Sequence, residues 1–140
     1  KSVFPIIQDI LLNPRDNLAE YLTNSILVVH EYLDMKSEIF ISSKIEKDNE
    51  KRGTNKVIDL CKKLNGDVYY NAIGGQKLYS YSEFDKNEIT LKFIKTRQIN
   101  YQQFKESFVP NLSIIDVMMF NSRERVKEYL YQYDLVEEDI

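Results

Sequence analysis

Two stretches decide the fold: Asp67-Val68-Tyr69-Tyr70-Asn71-Ala72, broken by Ile73-Gly74-Gly75, and Ile89-Thr90-Leu91-Lys92-Phe93-Ile94. The first reads as a strand stopped by paired glycines. The second alternates with period two, the pattern of a strand with one wet face. Upstream, Glu38-Ile39-Phe40-Ile41-Ser42-Ser43 is a short β-branched and aromatic run and reads as a further strand. Three strands are therefore expected, at about 38–43, 67–72 and 89–94.

Helical spacing fills the rest. From Ser2 to Leu12, Val3, Ile6 or Ile7, Ile10 and Leu11 share a face, and Asn13-Pro14 stops the segment. Leu18, Leu22, Ile26, Val29 and Leu33 line one face of a long second helix, with Asn17 and Glu20 as its start signal. A polar insert, Lys47 to Gly53, has nothing apolar to bury and reads as a solvated, mobile loop. Val57, Ile58, Cys61 and Leu64 then face inward on a helix for which Gly66 supplies a left-handed stop. Ser113 and Asp116 can cap each other's backbone at the start of Ile114 to Phe120, a segment so apolar that burial is expected. A last helix after Ser122 uses Val126, Tyr129, Leu130 and Tyr133. The order of elements predicts an α/β fold, residues 1–140 forming a single domain with helices packed on a small, mostly parallel sheet. Three short strands make a narrow sheet, and the chain starts at Lys1 rather than Met. An N-terminal part is expected to complete it.

Composition bounds the function. The chain has 140 residues, 43% hydrophobic and 12% aromatic. At this size roughly 68% of the unfolded surface is buried on folding, enough for one core and too much for a disordered tail. A net charge of −3 argues against a nucleic-acid partner. One cysteine, Cys61, permits no intramolecular disulfide and points to a reducing cytoplasm. One Cys and one His offer no zinc-type site, so no metal and no cofactor are expected. The longest apolar run, Ile26 to Val29, is far short of the roughly 20 residues a membrane span needs.

Two constellations could carry chemistry. In Tyr69 to Tyr79, backbone around Asn71, Gly74 and Gly75 could approach a ligand closely and cradle an anion at the carboxyl end of a strand. The plainer reading is a tight turn needing positive φ. In Tyr101 to Asp116, Ser113 and Asp116 could serve as nucleophile and acid if His30 arrived from the second helix. Capping explains both residues equally, and a half-exposed surface histidine explains His30. A carboxylate at Asp116 inside an apolar helix needs a partner, either backbone N–H groups at the helix start or a substrate hydroxyl or amine.

Taken together, Asp67 to Gly75 with Leu78-Tyr79, and Phe108-Val109-Pro110-Asn111-Leu112-Ser113-Ile114-Ile115-Asp116 with Asn121, resemble the C-terminal half of the WbqC-like proteins. The strand Ile89 to Ile94 followed by Tyr101-Gln102 or Tyr101-Gln103 matches that family's order of a strand and then a Tyr-x-Gln connector, and the likeness runs from about Asn17 to Tyr133. The resemblance implies a role in bacterial O-antigen, capsule or other surface-polysaccharide synthesis, with transfer of glycine or another aminoacyl group to a sugar as the suggested reaction. It also implies that the chain lacks the His-Gln-Pro motif region with which full-length members begin.

Two functions follow as expectations. The first is a transferase acting on a sugar or nucleotide sugar. Gly74 and Gly75 would bind an anionic group, and Tyr69, Asn71, Tyr79, Tyr101 and Gln103 would contact the ligand. Asp116 or Asp67 would be general base, with Ser113 and His30 as further catalytic candidates. The second is a non-catalytic ligand-binding or scaffold module, in which Met118-Met119-Phe120 and the tyrosine-rich last helix could supply a homodimer face.

Overall fold

The structure is a computed structural model and describes residues 3–104 and 107–137, so Ser2, where the first helix is expected to begin, lies outside the described residues. In chain order the elements are α1 (Phe4–Leu12), α2 (Leu18–Tyr32), α3 (Gly53–Lys63), β1 (Val68–Ala72), α4 (Tyr81–Asp85), β2 (Thr90–Thr96), α5 (Ile114–Phe120), α6 (Arg123–Tyr129) and β3 (Tyr133–Val136). Short 3-10 turns occupy Ser42–Lys44 and Ile73–Leu78. The chain forms two compact units: one holds residues up to Ile39 with Gln98–Gln132, the other Phe40–Arg97 with the residues from Tyr133 onward.

The second unit contains the sheet, in the order β1-β2-β3. The fold is α/β as expected, but the sheet is mixed rather than mostly parallel. β1 runs parallel to β2, with Val68 opposite Thr90 and Ala72 opposite Ile94. β3 is antiparallel to β2, with Phe93 opposite Val136 and Thr96 opposite Tyr133. The period-two pattern acts as read: Ile89, Leu91 and Phe93 are buried, and they meet Ile58 of α3 and Phe84 of α4 in one cluster. Cys61 packs against the same cluster, and burial pushes its thiol up.

Four expectations fail here. Residues 38–43 form no strand: the backbone is extended at Ile41 and then coils into the Ser42–Lys44 turn. A β-branched run becomes a strand only where a neighbour accepts its ladder, and this one has none among the described residues. The third strand is instead β3, which contains the Tyr133 expected on the last helix; that helix stops at Tyr129. Nor is Gly66 the left-handed residue. Asn65 holds φ +53, and Gly66 donates to the Cys61 carbonyl at 2.8 Å in the crossed pattern that closes a helix end. The polar insert is also tied down, since Asp59 of α3 accepts from the Asp48 N–H at 3.2 Å and from Lys51 at 2.6 Å. Those two donors hold the Asp59 carboxyl below its ordinary range.

The first unit is helical. Asn17 caps α2 as the sequence indicates, its side chain accepting from the Ala19 and Glu20 N–H groups at 2.9 and 3.2 Å. Its core gathers Val3, Ile7, Leu33, Val117, Met118 and Val126. Only the C-terminal end of the α2 stripe reaches that core. Leu33 is buried, whereas Leu18 is 71% and Ile26 57% exposed. Likewise α5 buries Val117 and Met118 but not Ile114, Ile115 or Met119. A helix of two turns offers one face to a core; the remaining apolar side chains of α5 line cavities.

Candidate functional site

The polar centre of the helical unit is built on the connector before α5. Tyr101 donates its phenol O–H to Asp116 Oδ2 at 2.6 Å, and Gln103 Nε2 donates to the same oxygen at 3.0 Å. The same Nε2 also donates to the Val109 carbonyl at 3.1 Å, and Gln103 Oε1 accepts from the Val109 N–H at 2.8 Å. This fixes the Val109-Pro110-Asn111 reversal, in which Asn111 takes φ +59, a conformation asparagine tolerates better than most residues. Of the two connector glutamines, Gln103 is the one that bonds Asp116. The Tyr101 ring lies edge-on to Phe108 at 5.2 Å and also meets Phe120 and Tyr129. Burial, and then the bond to Asp116, push its phenol up, so at neutral pH Tyr101 is a fixed donor.

Asp116 thus has partners that the sequence did not indicate. Its expected reciprocal cap is one-sided: Ser113 accepts from the Ile115 N–H at 3.3 Å, while the Asp116 carboxylate turns to the connector. Oδ1 of Asp116 has no hydrogen-bond partner among the described residues. Asp116 lies in the wall of a cavity of about 490 Å³ lined mainly by Leu112, Ile115, Met119 and Phe120. An oriented carboxylate with one open oxygen beside an apolar cavity can accept from a hydroxyl or amine held there.

His30 and Ser113 border a different cavity of about 500 Å³ in the same unit. His30 does not join a serine–aspartate relay. Its Nε2 pairs with Ser37 Oγ at 3.0 Å. Ser37 escaped the sequence reading because seven residues separate it from His30, a spacing no helix brings together. Asp34 at φ +53 makes the link, with Met35 N–H bonded back to the His30 carbonyl at 3.0 Å so that the chain reverses at the end of α2.

The residues around the paired glycines belong to the sheet unit and form a set of their own. Asn71 donates to the Tyr69 hydroxyl at 3.0 Å and accepts from the Ala72 N–H at 2.7 Å. Neither Gly74 nor Gly75 has positive φ. Gly75 is instead a close approach: a Cβ there would stand 3.1 Å from Asn71 Oδ1, whereas at Gly74 it would meet nothing within 4 Å. Tyr69 stacks on Phe84 at 5.4 Å, and Tyr79 meets both rings edge-on. Burial, and next a hydrogen bond to Tyr79, push the Tyr69 phenol up to about 12. An unfolded tyrosine ionises near 10, so this contribution to stability is complete below about pH 10 and is lost as pH rises toward 12. NMR titration of ring-labelled tyrosines is expected to show Tyr69 ionising near pH 12. Tyr69→Phe is expected to remove part of the alkaline loss of stability; an ordinary titration near 10 would contradict the packing described.

Among the described residues, no group of three His, Cys, Asp or Glu side chains could hold a metal ion. No described helix is long and apolar enough to cross a membrane. No curated protein and no solved structure matches the chain. A sequence family does: the profile of the WbqC-like protein family covers residues 1–128, taking in α1 to α5 and the whole Tyr101–Gln103–Asp116 centre. The chain belongs to the WbqC-like protein family.

Proposed function

We propose that this chain is a transferase of surface-polysaccharide synthesis that passes an acyl-type group, aminoacyl groups such as glycine included, to a sugar. Membership of the family fits an association with polysaccharide biosynthesis. The observation that carries the reaction class is the Asp116 carboxylate, fixed by Tyr101 and Gln103 with Oδ1 left open beside the cavity. Asp116 takes the proton of the attacking sugar hydroxyl or amine as that oxygen or nitrogen bonds to the acyl carbon. The donor's leaving group departs with the bonding electron pair and takes up a proton from solvent. Tyr101 and Gln103 are positioning residues, and Ser113 borders the cavity as a cap. Within the sheet unit, Tyr69, Asn71, Gly74, Gly75 and Tyr79 are proposed as a separate ligand-contact region, and within the helical unit His30 as a group bordering the neighbouring cavity.

A panel of nucleotide sugars tests this by thermal shift and backbone NMR. A ligand at 100 times its Kd adds about 2.7 kcal/mol of stability. The expected result is a shift with one class of nucleotide sugar and amide perturbations at Gln103, Ile115, Asp116 and Met119. Binding that perturbs none of these, or no binding by any member, would sink the proposal.

A scaffold role keeps one supporting observation, the exposure of Met119, Leu130 and Tyr131. Met118 is buried in the core of its unit and takes no part in such a face. Light scattering distinguishes this reading by a homodimer that Tyr131→Asp dissociates.

A further inference from the structure

The cavity beside His30 has a chemistry unlike that of the Asp116 centre. Ile10, Ile26, Val29, Met35, Ile39 and Ile114 supply its aliphatic walls, and no Lys, Arg, Asp or Glu lines it among the described residues. A diphosphate or a free sugar would find neither a cation nor a carboxylate there. Of its other hydroxyls, Ser25 donates to the Leu22 carbonyl at 2.7 Å, and Ser113 caps α5 by accepting from Ile115 N–H at 3.3 Å. The polar feature that remains is the His30–Ser37 pair, joined through side chains only, with Ser37 exposed. A volume of about 500 Å³, apolar walls and one pair of groups able both to donate and to accept are the attributes of a site for a small amphiphile. Ser113 and Ile115 line both this cavity and the one containing Asp116, so the two adjoin at the first turn of α5.

We infer that this cavity binds the aliphatic chain of a neutral acyl ester or thioester, with the His30–Ser37 pair hydrogen-bonded to its carbonyl head. The absence of charge from the described lining selects an uncharged head, and the walls reward chain length. The inference deepens the transferase reading, on which it rests for the role of the bound chain as donor; the binding itself does not depend on Asp116 chemistry.

Calorimetry with the decanoyl and acetyl thioesters of N-acetylcysteamine provides the test. The decanoyl compound is expected to bind one per chain and at least about tenfold more tightly than the acetyl compound, since each added methylene buried in apolar walls is favourable. Ile26→Asp places a carboxylate in the wall at a side chain already exposed, so folding is retained and decanoyl affinity is expected to fall at least about tenfold. Ser37→Ala is expected to weaken the thioester about threefold or more while leaving decane-like probes unaffected. Asp116→Asn is expected to leave decanoyl affinity unchanged. Equal affinity for the two chain lengths, an Ile26→Asp variant that binds like the parent, or loss of binding in Asp116→Asn would each overturn the inference. Failure of the nucleotide-sugar panel with these results intact would remove the transferase reading and keep the site.

Discussion

Phe93→Ala is expected to destabilise the sheet unit by about 3–5 kcal/mol, the cost of deleting a buried aromatic ring and leaving its cavity. Phe93 is 0% exposed and lies on the central strand, so one residue faces Asn71 on β1 and Val136 on β3. Its ring meets Tyr81 edge-on at 5.8 Å and packs with Ile58, Phe84 and Leu91. Little can collapse into the space, because both flanking strands are held to β2 by their ladders. Domains of this size hold only about 5–15 kcal/mol, so a large share of the stability goes. Urea unfolding followed by amide NMR signals of β2 and α4 measures it. A cost below about 1 kcal/mol would mean that the ring does not anchor the cluster.

Asp116→Asn is expected to lower acyl-transfer turnover by about 10²–10⁴, the usual contribution of a positioned general base. The substitution preserves shape and leaves an oxygen for the Tyr101 phenol, so thermal stability is expected to change little. Asp116→Leu separates the two roles. It takes the acceptor from the Tyr101 hydroxyl and leaves the Gln103 amide only the Val109 carbonyl, and a cost of about 1–3 kcal/mol is expected on top of the lost turnover. The measurement pairs kcat, using the acceptor identified by the binding panel, with a denaturation midpoint. Undiminished turnover in Asp116→Asn would remove Asp116 from the chemistry and leave it a structural carboxylate.

What the sequence showed depended on how far apart the interacting residues lie. The Asn17 cap, the alternation from Ile89 to Phe93 and the stop after Ala72 are decided within a few residues, and each is found in the structure. The failures are non-local. Residues 38–43 have strand-like composition, but a strand is a relation between two segments, and β2 takes its second neighbour from residues 133–136. The amphipathic face of α2 was legible as a face; that only its C-terminal end reaches the core was not. At the candidate site, Tyr101, Gln103 and Asp116 could be singled out individually. Their joining is set by the Asn111 reversal, which no periodicity encodes, and Ser37 reaches His30 through a left-handed residue at Asp34.

The late position of β3 has a consequence for biosynthesis. Residues 98–132 separate it from β2, and a ribosome adding roughly 5–20 residues per second needs about two to seven seconds to make them. During that interval the outer edge of β2, which carries Leu91 and Phe93, can acquire neither its partner ladder nor the Val136 side chain. An open apolar edge is a template for pairing with other nascent chains. Residues 133–136 therefore decide whether the sheet is sealed, although they lie beyond the segment that marks the chain as a family member.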